Sequence, residues 1–415
     1  MPVSLRIYGN VLIAVLRYLT PGLTVWILLC RKDRSALVSL TILQVLMMMT
    51  LQITGYDAQE NMKLGFASVI AAQWMLYTVR SREAGFRLEI LAFLLCSIGL
   101  AVVCTISPSQ ALKQTVAILL GILLFHQVRC YPPVGKQVGP AMAGLGMLLV
   151  TLLYGDRRYG ARNWLNLESF SLQPMELVKL CFLYVGSCVE GNWRSRGWRL
   201  FSAYTLALCV CLLLMNDLGA VVVLLSVYIV YLYLHSETLL PVVGSIASLS
   251  LSGWLIVQRV PHALSRLQTW RHIWQTPHQA GYQQTQALMA IASGGLWGMG
   301  LGRGSVRYLF SADSDMVFAA VAEQWGVIQA IAVVLCIIAL ALSVGERIGK
   351  PGRVSAACGA AVILLVQTIL NVLGAVDVLP LTGVTLPFVS NGGSSMLCTW
   401  ALLGLIKPLE GNRYA

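Results

Sequence analysis

LEILAFLLCSIGLAVVCTIS, residues 88–107, holds one charge, Glu89, near its start and then an unbroken apolar run. A bilayer core of about 30 Å is crossed by roughly 20 such residues in a helix, because only a helix satisfies its own backbone groups in lipid. Working outward, twelve further segments read the same way: 9–30, 37–55, 62–79, 111–127, 139–155, 174–190, 199–215, 218–235, 239–258, 316–344, 354–375 and 384–406. The whole chain agrees, with 57% hydrophobic and 11% charged residues over 415 positions. A soluble domain carries about 25% charged residues. The fold class is therefore an all-α polytopic membrane protein.

The 29 Lys and Arg against 17 Asp and Glu give a formal charge of +12. The basic residues cluster in alternate connections: Arg31, Lys32 and Arg34; Arg80, Arg82 and Arg87; Arg129 and Lys136; Arg194, Arg196 and Arg199; Arg347, Lys350 and Arg353. Basic loops stay in the cytoplasm, so thirteen spans put the N-terminus outside and the C-terminal KPLEGNRYA inside. The charge marks membrane topology and contact with membrane lipids, and no nucleic-acid partner is expected. Nine of the eleven cysteines lie in or beside apolar runs, and Cys30 and Cys130 adjoin cytoplasmic basic segments, so no disulfide framework is expected. The five histidines form no metal-binding pattern, and no organic cofactor is expected. The N-terminus lacks a small-residue cleavage site and reads as retained.

The opposite connections are then external: GDRRYGARNW at 155–164, MND at 215–217, the stretch 259–315, and DVLPLTGVTLPFVSNGG at 377–393. Long connections of this kind usually carry function. Within 259–315, ALMAIASGGLWGMGLG (287–302) is apolar and Gly-rich, suited to a re-entrant or cavity-lining segment. Glu176 and Lys179 stand three residues apart and share a helix face, as a structural ion pair or as walls of a polar cavity. Asp217 reads either as a helix cap or as a carboxylate at a cavity mouth. Gln367 and Asn371 share a face and should point inward, for interhelical hydrogen bonds or for sugar recognition.

Seven motifs occur in order: GARNW (160–164), QPMELVKL (173–180), NDLG (216–219), GYQQTQALMAIASGGLWGMGLG (281–302), SDMVFAAVAEQWG (314–326), QTILNVLG (367–374) and LPLTGVTLPFVSNGGSS (379–395). The set resembles the landmarks of the SEDS family (shape, elongation, division and sporulation; FtsW, RodA, SpoVE) over about residues 88 to 406. The resemblance implies a ten-helix core at 87–415, preceded by an extension of about three transmembrane helices at 1–86. It implies polymerisation of lipid II, an undecaprenyl-pyrophosphate-linked disaccharide peptide, into peptidoglycan at the outer face of the bacterial cytoplasmic membrane. A class B penicillin-binding protein is the implied partner.

That chemistry needs a base for the acceptor hydroxyl and cations against the departing pyrophosphate, from side chains or a divalent ion such as magnesium or manganese. External cations are Arg157, Arg158, Arg162, Arg266, Arg271, Arg303 and Arg307, with Arg266 and Arg303 preferred. Substrate-binding candidates are Arg162, Trp164, Glu176, Lys179, Arg266, Gln283, Arg303, Gln367, Asn371 and Ser394. WQTPHQAGYQ (274–283) resembles a family stretch W-E-D-P-x-x-x-G-Y-Q whose Asp is read as the catalytic base, and Thr276 holds that place. A threonine hydroxyl is no base near neutral pH, and Gln275 replaces the neighbouring acid. Substitutes are Asp313, first among them because relatives often have His there, then Asp315, Asp217, and His272 or His278. The reading is a glycosyltransferase with an altered base; its rivals are a non-catalytic partner that binds lipid II or the penicillin-binding protein, and a flippase for a lipid-linked precursor.

Overall fold

The computed structural model describes residues 3–53, 59–80, 85–130, 137–158, 160–167, 170–189, 191–236, 238–258, 261–346 and 351–407. Arg82, Lys136, Arg347, Lys350 and residues 408–415 lie outside the described residues, as do the side chains of Arg158 and Arg353. The helices are α1 (Val3–Leu29), α2 (Asp33–Ile53), α3 (Gln59–Arg80), α4 (Arg87–Ile106), α5 (Ala111–Cys130) and α6 (Val138–Tyr154). Three strands follow, β1 (Asp156–Arg158), β2 (Ala161–Leu167) and β3 (Phe170–Leu172), and then α7 (Pro174–Ser187), α8 (Arg196–Leu214), α9 (Leu218–His235) and α10 (Leu240–Val257). The chain continues as α11 (Pro261–Thr269), α12 (Tyr282–Gly294), α13 (Val317–Leu342), α14 (Pro351–Ala375) and α15 (Gly393–Ile406). Helices thus occupy all thirteen expected segments, and among the described residues seven are long and apolar enough to cross a membrane.

Most of α4 is buried, so the run that opens the sequence argument is the centre of the bundle. Polar side chains join the helices where lipid offers no partner. Gln44 of α2 and Gln73 of α3 exchange two hydrogen bonds of 2.9 and 2.8 Å, and Gln44 also donates to Ser97 of α4 at 2.8 Å. Gln329 of α13 donates to Thr24 of α1 at 3.1 Å. At one end of the bundle, Glu89 pairs with Lys407 at 2.7 Å and with Arg80, tying α3, α4 and the end of α15 together. Helices α1 to α3 therefore pack on the core through specific contacts.

One strand-built connection and two departures from the expected spans shape the functional end. The segment 155–172 is a three-stranded antiparallel meander, in register through Arg157 with Arg162 and Asn166 with Ser171. The expected span 384–406 is helical only from Gly393, because Pro380, Pro387 and Gly383 with its positive φ of 71° hold residues 376–392 out of a helix. The expected span 316–344 is broken at Gly326, whose φ of 87° and ψ of 168° turn the backbone aside. The break frees backbone groups that the segment after α12 takes up: Val327 donates to Gly295 O, and Met299 N and Gly300 N donate to Glu323 O and Gln324 O at 2.8 and 3.0 Å. Residues 287–302 are thus a helix and a folded-back loop packed on α13, as a re-entrant segment is.

Candidate functional site

The N-terminal ends of α7, α9 and α15 meet at one end of the bundle. Each start is written in the sequence: Pro174 fits the first turn of α7, Asp217 caps α9 by accepting from Ala220 N at 3.0 Å, and Gly392 precedes α15. Between them lies a cavity of about 160 Å³, lined by Asn163, Trp164, Glu176, Lys179, Asp217, Arg266, Asp315, Gln367, Thr382, Gly383, Asn391 and Ser394, among others. Three helix starts direct their positive dipole ends at this space, which favours an anion. A second groove, about 390 Å³, adjoins it through Arg266, Ser311, Asp315 and Gly383 and adds Gln283 and Tyr282.

Glu176 and Lys179 pair at 2.7 Å in the first turns of α7 and both are buried. Arg266 on α11 is anchored by donating to Leu381 O at 2.9 Å. Burial pushes its guanidinium pKa down, and the Asp315 and Asp217 carboxylates oppose that shift. Asp315 ends the loop before α13. Burial raises its carboxyl to about 7, with Arg266 acting against the rise and the Asp313 and Asp217 charges adding to it. A cavity-lining carboxyl in that range holds a proton loosely near neutral pH, which is what a general base requires. Gly383 lets the loop 376–392 approach it: a Cβ there would sit 3.4 Å from Asp315 Oδ2, and the positive φ disfavours any other residue.

Of the substrate-binding candidates, the cavity brings together Trp164, Glu176, Lys179, Arg266, Gln367 and Ser394. Gln283 lines the adjoining groove. Asn371 acts from behind the wall, donating to Asp315 O at 3.0 Å and Val384 O at 2.8 Å. Arg162 lies outside the cavity and donates to Leu152 O at 2.7 Å, pinning β2 to α6. Arg303 is exposed beside Gly300 and lines neither space.

Of the four catalytic candidates, Asp315 and Asp217 line the cavity, whereas Asp313 and Thr276 do not. Asp313 accepts from Asn391 Nδ2 at 2.8 Å, and its carbonyl accepts from Asn391 N, so it fastens the loop ahead of α15. Thr276 makes a turn, its carbonyl accepting from Gln279 N and Gly281 N at 3.1 Å, and its buried hydroxyl oxygen has no hydrogen-bond partner. Asn163, within GARNW but not among the candidates, also lines the cavity and donates to Asp217 Oδ2 at 3.2 Å. Its signal was its place in GARNW beside Trp164, on a strand that no helical periodicity discloses.

Among the described residues no group of three or more His, Cys, Asp or Glu side chains is placed to hold a metal. Hard divalent cations need less where a substrate brings phosphates, one or two carboxylate oxygens sufficing. Asp217 with the adjacent Asn163 Oδ1, a buried oxygen without a partner, is such a donor pair.

Residues 86–414 match the model of the FtsW, RodA and SpoVE family, described as "Cell cycle protein". The chain belongs to this family. The match begins at Phe86, after α3. Among similar sequences, a probable peptidoglycan glycosyltransferase FtsW of Nitrosococcus halophilus is 34% identical over 321 residues, 72% of this chain and 82% of that protein. The corresponding protein of Tolumonas auensis is 32% identical over 290 residues, 66% of this chain and 74% of its own length. A solved structure described as showing structural coordination of polymerization and crosslinking by a peptidoglycan synthase complex contains a similar SEDS-type fold. That chain superposes with a TM-score of 0.67 at 26% identity, over 80% of this chain and 99% of that one. The protein is accordingly a multi-pass membrane protein of the SEDS type.

Proposed function

We propose that this protein polymerises lipid II into peptidoglycan glycan strands, with Asp315 as the general base. The observation that carries the reading is the cavity where Asp315, Arg266 and Lys179 face the starts of three helices. The acceptor sugar hydroxyl gives its proton to the Asp315 carboxylate as its oxygen bonds to the anomeric carbon of the donor. The bond from that carbon to the pyrophosphate oxygen breaks, and the polyprenyl pyrophosphate leaves with the electron pair. Arg266, Lys179 and the N–H groups at the starts of α7 and α15 offset the charge that grows on it. Asp217 and Asn163 would hold a magnesium or manganese ion, which supplies further charge compensation at the pyrophosphate when bound.

The basic residues at the start of α8 and between α1 and α2 lie at helix ends opposite the cavity. This supports an orientation with the cavity and the N-terminus outside and the C-terminus in the cytoplasm. The name of the similar solved complex supports a crosslinking partner, and the family resemblance supports a class B penicillin-binding protein in that role.

The test is incubation of the purified protein, alone and with that partner, with labelled lipid II and magnesium. A muramidase-sensitive ladder that disappears on chelation is the expected result. Binding of lipid II without any ladder, with or without the partner, would contradict the catalytic reading.

A further inference from the structure

The far end of α8 carries a further groove that the reaction leaves unused. Its volume is about 580 Å³, and it runs between α8, α9 and α10, lined by Trp193, Trp198, Arg199, Tyr228, Gly244 and Ser245 among others. The 19 residues of α8 separate it from the cavity by about 28 Å at 1.5 Å per residue. Helix α10 packs mainly against α9 and α11, so its face toward α8 is left open.

Three features say what fits there. Trp198 is only 1% exposed, yet its indole Nε1–H has no acceptor. A buried donor left unpaired is costly and points to a missing acceptor. Arg199 stands beside it on the groove wall, and Arg194 and Arg196 precede it in the same basic turn. Tyr228 donates to Ser202 Oγ at 2.9 Å, since the Ser202 hydroxyl is itself spent on Trp198 O. Leu232 of α9 and Pro241 of α10 add apolar side chains to the groove wall. A cation and a spare donor at the helix end, framed by aromatics and continued by apolar side chains, match a lipid whose phosphate sits at the interface and whose chain runs along the helix.

We infer that the α8–α9–α10 groove is a binding site for an anionic glycerophospholipid, its phosphodiester held by Arg199 and the Trp198 indole N–H. The site takes a membrane lipid and not free phosphate, because half of its lining is apolar. The inference does not depend on the chemistry proposed for the cavity.

Native mass spectrometry of the full-length protein, released from vesicles of equal phosphatidylglycerol and phosphatidylcholine, tests it. The expected result is one retained phosphatidylglycerol that excess inorganic phosphate does not displace. Arg199→Gln should weaken retention by about fivefold, the effect of one interfacial cation. Gly244→Leu should weaken it comparably by filling the groove, and it is structurally safe because a Cβ at Gly244 meets nothing within 4 Å. Equal retention of the two lipids, displacement by inorganic phosphate, or retention unchanged in both variants would overturn the inference.

Discussion

Asn371 on α14 donates a 3.0 Å hydrogen bond to the carbonyl oxygen of Asp315 and, from the same amide nitrogen, a 2.8 Å bond to that of Val384. One buried side chain thus ties the loop that carries the proposed base to the loop that walls its cavity. Asn371→Ala leaves both carbonyls without that donor, at a cost of about 1–3 kcal/mol for each unsatisfied group. The expected outcome is a lower unfolding temperature in detergent together with slower polymerisation, whereas Asn371→Gln restores part of the rate. The two readouts are thermal unfolding and ladder formation on the same preparations.

The raised pKa of Asp315 fixes a pH dependence. A base must be ionised to work, so the rate should rise with pH, reach half its plateau near pH 7 and stay flat above. Arg266 holds that value down, so Arg266→Gln should move the midpoint to higher pH. Stability runs the other way. The folded carboxyl titrates at about 7 against the ordinary 3.8 of the unfolded chain, so its contribution is fully present below pH 3.8 and lost as pH rises to 7. Asp315→Asn should therefore raise the unfolding temperature more at pH 8 than at pH 4, measured by thermal unfolding at the two pH values.

Apolar runs such as 88–107 and 218–235 disclosed the helices, because length and hydrophobicity alone decide what lipid accepts. The ends of helices were less legible. Nothing in the composition of 384–392 separates it from a span, and only Pro387 and the paired glycines mark the delay to Gly393. The break at Gly326 was hidden within a long apolar run, since it depends on the re-entrant segment being there to receive the freed N–H groups. At the site, Asp315 and Asp313 are two residues apart and chemically identical in the sequence. What separates them is Asn391, 78 residues later, which occupies Asp313 and leaves Asp315 to the cavity.

Thr276→Asp tests whether the family's acidic position works here. Thr276 lines neither the cavity nor the adjoining groove. Restoring a carboxylate should give a gain well below the ~100-fold that a working base delivers. The check is the initial rate of ladder formation by Thr276→Asp beside the unmodified protein.

Glu323 holds the re-entrant segment in place. Its carboxylate accepts from Ser305 N and Val306 N at 2.9 Å, from Ser305 Oγ at 3.1 Å and from Ser293 Oγ at 3.3 Å. Glu323→Gln puts an amide donor against these donors and should destabilise the protein by about 3 kcal/mol, since hydrogen bonds to a charged group are worth about 1.5–3 kcal/mol. Limited proteolysis should then cut within residues 295–305 faster than in the unmodified protein.

The most direct measurement is the polymerisation rate of Asp315→Asn beside Asp313→Asn, with labelled lipid II, magnesium and the partner present. If Asp315 is the base, its variant loses at least ~100-fold while still binding lipid II, and the Asp313 variant keeps most of its rate unless its loop unfolds. A ladder formed at full rate by Asp315→Asn would contradict the account.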